Sequence, residues 1–333
     1  MSADDETPRP RPASRVHQWL ALAETALGNA SDRMDAINIF PVPDGDTGTN
    51  LYGTVRAARA ALEAETTEDV GALLSVAGRA ALDQARGNSG TLLAVILIGM
   101  SEPLTGHERL AAPTLAVALD RARTSAWAAL SDPQEGTMLT VLAAAARAAS
   151  EYVAARSGLS ADQAMGRKEL GGALDAIVAA AWSAVVQTEG QLPALAEAHV
   201  VDAGGMGLLL VLDSLRATVA GTGIDPGLLD GLHGFAPQDP HIHRDRDLPV
   251  GFELMCSISL EPLAAATLRF ELNEVGDSVI MSPVDATGDG EGPVRWRVHA
   301  HVEDREAAVA LVRRAGDPEN LVITALRDPE QPR

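Results

Sequence analysis

The sequence predicts a multidomain chain, all-α over its first two thirds and α/β over a smaller remainder. Its 333 residues exceed one ordinary domain. Aromatics make up only 3% against 46% hydrophobic residues, so the core is aliphatic and alanine-rich, which suits closely packed helices. After a segment dense in Gly, Pro, Asp and His, the apolar period changes from helical spacing to short alternating runs.

Residues 1–14, acidic and then Pro/Arg-rich without an apolar run, read as a disordered leader. From about Val16 to Ala220, Ala/Leu-rich stretches with three-to-four-residue spacing alternate with Gly/Pro/Asp clusters. Thr47 and Thr49 can cap a helix carrying Leu51 and Val55, and Leu115, Leu119, Ala122 and Ala126 form another helical stripe. The clusters Asp44–Gly48, Gly87–Gly90, Gly136 and Gly204–Gly207 fall where helices begin or end and backbone N–H groups are free. Residues 221–249 read as a linker. Beyond them, strands are expected at 251–260, 278–284, 294–302 and 321–326. Helical spacing at Ala264, Leu268, Leu272 and Val275, and at Ala307, Leu311 and Arg314, completes a ferredoxin-like split βαβ order over 250–333. DATGDGEGP, residues 285–293, reads as a mobile hairpin loop.

Composition excludes several functions. With 26 Lys plus Arg against 46 Asp plus Glu, the net charge of −20 makes nucleic acid a poor partner. The sole lysine, Lys168, follows Arg167 rather than glycine, so no Walker-type P-loop exists. Cys256 stands alone, which rules out an intrachain disulfide or a Cys-x-x-Cys motif and predicts a cytoplasmic address. The apolar run Thr91–Met100 is far below the roughly 20 residues that span a bilayer, so no transmembrane helix is expected.

The sharpest motif is PVPDGDTGTN, residues 41–50, where Asp44 and Asp46 flank Gly45. Two carboxylates so spaced can grip Mg²⁺, which favours carboxylate oxygens together with substrate phosphates. An ordinary Asp-Gly turn with an N-cap is the alternative. RGNSG, residues 86–90, opens an apolar helix as a phosphate cradle without lysine would, or as a plain N-cap. EGTMLTV (135–141) and VVDAGGMG (200–207) repeat the plan, with Asp202 available to cap a helix or bind nucleotide. Four such loops in one helical unit favour convergence on a single anion site.

NIFPVPDGDTGTN, ARGNSGTLLAVI, AWAALSDPQEGTMLTV and AEAHVVDAGGMGLLL together resemble the nucleotide-binding domain shared by the L subunit of dihydroxyacetone kinase and the ATP-binding subunit of bacterial fatty acid kinase. The resemblance covers residues 15–220 and is closer to the fatty acid kinase branch. It implies an antiparallel helical barrel with ATP and two Mg²⁺ ions at one open end. Asp44 and Asp46 match its magnesium-binding aspartates, and Asn38 stands near a further ligand position. Thr47, Thr49 and Asn50 fall in its nucleotide loop, Asn88, Ser89 and Gly90 in its phosphate turn, Gly136, Thr137 and Met138 near the adenine, and Asp202, Gly204 and Gly205 in the last motif. Asp132, Gln134 and His199 depart from the pattern at its rim. VGDSVIM and WRVHAHVED resemble the middle domain of the same proteins, where a cysteine and a His-x-His pair bind zinc. His299 and His301 match the pair. The family cysteine aligns with Glu253, while Cys256 lies three residues on and faces the other way in an ideal strand. A harder Glu253–His299–His301 zinc site is the resulting expectation, against a plain polar face bearing two histidines.

The resemblance thus implies an ATP-binding phosphotransferase chain that acts on a substrate held by a partner protein, with a fatty-acid-binding protein as the candidate. These motifs contain no general base, so an already ionised carboxylate acceptor is preferred. Glycerone kinase-like activity is the enzymatic alternative. The family's fatty acid kinases carry a further C-terminal domain, whereas this sequence stops near Arg333, so a non-catalytic nucleotide-binding regulatory module is also considered. The sequence leaves a homodimer open.

Overall fold

The computed structural model describes residues 15–225, 227–234, 251–284 and 292–326. The leader at 1–14 and most of the 285–293 loop lie outside them. The first part contains α1 (Arg15–Ile37), α2 (Thr47–Ala61), α3 (Val70–Gln84), α4 (Gly87–Leu104), α5 (Ala112–Ala129), α6 (Met138–Ala154), α8 (Arg167–Gln191) and α10 (Ala203–Ala220). The short α7 (Ala161–Ala164) and α9 (Pro193–Ala198) lie in the connections.

Each of the eight long helices packs on the next, and α10 returns to α1, which closes the barrel implied by the resemblance. In an up-and-down ring every second helix starts at the same end. The alternate members are α2, α4, α6 and α10, the four helices that follow the four glycine-rich motifs. Alanine and glycine permit the close packing: a Cβ at Gly71 would lie 2.3 Å from Thr105 N, and one at Gly99 would lie 2.8 Å from Ala122 Cα. Trp19, Leu27, Leu51, Leu74, Leu93 and Leu97 lie in the core. Leu228 and Leu232 join it, so packing on the helices continues past residue 220 into the expected linker.

Among the described helices, α8 and α10 pass length and composition tests for a membrane span. Their positions in the ring account for that apolarity. The α10 window is 89% buried inside the protein, and α8 turns Leu170, Leu174, Ile177 and Val185 inward.

The second part has the expected order: β1 (Phe252–Leu260), α11 (Pro262–Val275), β2 (Gly276–Pro283), β3 (Val294–Val302), α12 (Arg305–Ala315) and β4 (Glu319–Ala325). The sheet order is β2-β3-β1-β4, with every neighbouring pair antiparallel, as in a ferredoxin-like split βαβ fold. Leu254, Cys256, Ile258, Val298, Ala300 and Val302 pack in one core with Leu268 and Leu272 of α11 and Ala308 and Val312 of α12.

Alternation sends Glu253, Met255, His299 and His301 to the other face, toward the barrel. The seam is ordered there. Ser131 N donates to Val279 O at 3.2 Å, and Arg295 Nη1 to Asp83 Oδ1 at 3.2 Å. Arg269 of α11 donates to Ser131 Oγ, Ala128 O and Leu130 O, placing a cation at the C-terminal end of α5 where carbonyls lack helical partners. Ile280 of β2 is buried in the helical core.

Candidate functional site

Asp44 and Asp46 sit on the turn into α2, where Gly45 adopts φ 69° and brings the two carboxylates together. Each is held by an amide. Asn38 Nδ2 donates to Asp44 Oδ1 at 2.6 Å, and the Asn50 side chain bonds Asp46. Burial and then the neighbouring Asp46 charge push the Asp44 carboxyl up to about 8. Asp46 is also raised, chiefly by burial, with the Asn50 bond opposing the shift. Two half-buried acids in mutual contact destabilise one another's charged form, and a divalent cation between them relieves that cost.

Thr47 and Thr49 do not cap α2 as the sequence suggested. Asp35 on α1, which sequence reasoning passed over, accepts from Gly48 N at 2.6 Å, Thr49 N at 3.1 Å and Thr49 Oγ1 at 2.7 Å. No motif marks it, because its partners lie on the next helix. Thr49 is thereby turned to Asp35 at an exposed position, while the buried Thr47 hydroxyl lies 3.4 Å from Ser89 Oγ. This contact joins the starts of α2 and α4.

At α4, Gly87 takes φ 61°, and a Cβ there would lie 2.5 Å from Asn50 Nδ2 and 3.8 Å from Asp46 Oδ1. Arg86 provides no side-chain cap, and Gly87 N instead donates to Glu253 Oε1 of the sheet at 2.9 Å. Asn88 Oδ1 is buried with no hydrogen-bond partner among the described residues, and a Cβ on Gly90 would meet Thr54 Oγ1 at 2.7 Å. A Cβ on Gly204 would approach Ser89 Oγ at 3.2 Å and Met138 Cε at 3.5 Å, so the starts of α6 and α10 reach the same locus.

Gly136, at φ 82°, packs beside Gln191 and Leu192, and the Thr137 hydroxyl caps α6 by accepting from Leu139 N. Asp202 caps α10 through Gly205 N at 2.6 Å and also accepts from the Met138 backbone. Of the two roles open to Asp202, the geometry supplies the cap: it ties together two helix starts from a fully buried position, where burial raises it to about 7.

The triad on the sheet adjoins this locus. One ligand atom from each of Glu253, His299 and His301 lies within 4.8 Å of the others. His299 Nδ1 is 3.4 Å from Glu253 Oε1, and both His299 nitrogens and His301 Nδ1 are buried without hydrogen-bond partners among the described residues. Burial lowers both histidines, favouring the neutral imidazole that ligates metals. Cys256 is excluded from this cluster. Its pairing with Val298 continues the unbroken β1–β3 register, while the irregularity in β1 concerns its pairing with β4. The thiol therefore lies in the opposite core, where burial pushes it up to about 12.

Residues 41–217 match the family model described as the DAK2 domain, and residues 249–332 match that of the FakA-like middle domain of fatty acid kinase. Protein YloV of Bacillus subtilis is 28% identical over 319 residues, covering 93% of this chain and 54% of that protein. An uncharacterized protein of Staphylococcus epidermidis is 30% identical over 286 residues, covering 83% and 48%. The chain spans about half the length of these curated relatives. Among solved structures, a dihydroxyacetone kinase from C. freundii, in complex with AMP-PNP and Mg²⁺, matches at TM-score 0.45 and 17% identity over 65% of this chain and 36% of that one. With the DAK2 model matched over more than half of its residues and the middle-domain model over most of the remainder, this chain belongs to the DAK2-domain family and carries a FakA-like middle domain.

Proposed function

We propose that the chain is the ATP-binding subunit of a phosphotransferase, and that its helical end holds Mg-ATP for transfer of the γ-phosphoryl group to a fatty acid carboxylate presented by a partner protein. The observation that carries this reading is the half-buried Asp44–Asp46 pair set among the starts of four helices. The carboxylates supply cation ligands, and the helix starts supply N–H groups and positive dipole ends for phosphate. This donor set fits magnesium, which favours a few carboxylates plus phosphate oxygens. When bound, Mg²⁺ supplies charge neutralisation on the phosphates.

The chain's own residues do the positioning. Asn38 and Asn50 fix the two acids, Thr47 and Ser89 bring two hydroxyls to one place, and Gly87, Gly90 and Gly204 keep the walls free of side chains. In the transfer, a carboxylate oxygen bonds the γ-phosphorus as the bond from phosphorus to the ADP oxygen breaks, giving acyl phosphate and ADP. No proton moves in this transfer, and the buried Asp202 is committed to a cap. The fatty acid kinase-like middle domain favours the carboxylate over the hydroxyl acceptor of a glycerone kinase.

The same reading assigns zinc to Glu253, His299 and His301, whose buried and unpartnered nitrogens fit it. To test the transfer, purified protein is mixed with Mg-ATP and fatty-acid-loaded binding proteins, and acyl phosphate is trapped with hydroxylamine. Hydroxamate formation that depends on both chains supports the proposal. ATP binding without product across such partners would favour a nucleotide-binding regulatory module.

A further inference from the structure

Glu253 belongs to two sites at once. Its Oε1 accepts from Gly87 N at 2.9 Å, at the start of the helix that carries Asn88, Ser89 and Gly90, and the same atom lies 3.4 Å from His299 Nδ1. The residue is contributed by β1, while the N–H it occupies belongs to α4 of the barrel. On the histidine side, both His299 nitrogens and His301 Nδ1 are buried with no hydrogen bond among the described residues, and a ligand atom of each ring lies within 4.8 Å of this carboxylate. On the barrel side, Gly87 lies against Asn50 and Asp46, within the proposed metal and phosphate pocket.

We infer that metal binding at Glu253–His299–His301 and nucleotide-phosphate binding at the start of α4 are linked through the Glu253 carboxylate, so that each strengthens the other. The inference rests on the Mg-ATP and zinc readings above and goes beyond them, because two neighbouring sites need not be coupled. The sign follows from charge. Without metal, Glu253 places a negative charge on an N–H of the phosphate turn, beside the negative Asp44–Asp46 pair, and so opposes an incoming phosphate. A divalent cation on the triad neutralises that charge and engages the carboxylate as a ligand. Linkage is reciprocal, so nucleotide in place must tighten the triad's hold on metal by the same factor. Glu253 is thus a positioning residue acting through Gly87, with no contact to the reacting atoms required.

The test uses the full chain, freed of zinc and then returned to saturating Mg²⁺, with AMP-PNP and Zn²⁺ as probes in calorimetric titrations. Zinc loading should tighten AMP-PNP by at least about 5-fold, the lower end of ordinary couplings, and AMP-PNP should tighten zinc by the same factor. Glu253→Gln keeps an acceptor for Gly87 N–H but removes the charge. It should bind AMP-PNP more tightly than zinc-free wild type and show no further gain with zinc. His301→Ala, which removes a ligand on a different strand, should abolish the response to zinc. Zinc and AMP-PNP both binding with independent affinities would overturn the linkage, as would an undiminished zinc effect in Glu253→Gln. Zinc binding without any AMP-PNP binding would overturn the nucleotide reading, and the reverse would overturn the zinc reading. Either result removes one partner and the linkage with it.

Discussion

The Thr47 hydroxyl lies 3.4 Å from that of Ser89, joining the first turns of two helices whose starts are 40 residues apart in sequence. A contact at that point is what an alternating barrel makes available: every second helix begins at the same rim, so loops distant in sequence meet. The rim gathers orphan N–H groups by topology, and the glycines keep it open.

Gly87→Ala should be costly at a position the chain otherwise leaves bare. The residue sits at φ 61°, which costs an L-residue about 1–2 kcal/mol, and the added methyl would lie 2.5 Å from Asn50 Nδ2. Asn50 must then release Asp46. Urea denaturation should show the stability loss, and Mg-nucleotide affinity should fall with it.

The Asp202 cap gives stability a pH signature. Its folded carboxyl stands at about 7 against an ordinary 3.8, so between about pH 4 and pH 7 the unfolded chain has released a proton that the native state retains. Stability from this group is therefore present at low pH and lost as pH rises through that window, then constant above it. Asp202→Asn keeps a capping oxygen that does not ionise. The stability of this variant relative to wild type, followed by urea midpoints, should increase from pH 4 to pH 7 and level off beyond.

Zinc binding should separate the two faces of the sheet. His299→Ala or His301→Ala should lose the metal by elemental analysis of the purified protein, whereas Cys256→Ala should retain it, because the thiol points into the opposite core. Zinc that vanishes with Cys256 would show that β1 does not hold the register that pairs Cys256 with Val298.

Phosphoryl transfer should require a second chain. The pure protein should bind ATP yet turn over free fatty acid or dihydroxyacetone slowly, and robust product from the isolated chain in a coupled ADP assay would refute the division of labour.

Much of this was legible in the sequence because the signals were local. The helix starts at Thr47, Gly87, Met138 and Ala203 follow glycine-bearing motifs, and the change of period after residue 250 announces the split βαβ order. The grouping of Glu253 with His299 and His301 was implied by the resemblance to the middle domain, and alternation separated Cys256 from the pair. What escaped was relational. Asp35 serves N–H groups of a neighbouring helix, Glu253 caps α4 from another domain, and Arg269 caps α5 across the seam. Each of these side chains binds a group on another element, so no spacing rule reports it. The bonds by which Asn38 and Asn50 hold the aspartates are likewise invisible to local spacing.

If Asp44 and Asp46 form the cation seat for a nucleotide, AMP-PNP titrated into the full chain at saturating Mg²⁺ must distinguish wild type from Asp44→Ala and Asp46→Ala. Wild type should give a Mg²⁺-dependent binding isotherm that both variants lose, with each variant still folded by circular dichroism. Wild-type affinity in the two variants would contradict it and return Asp-Gly-Asp to an ordinary turn.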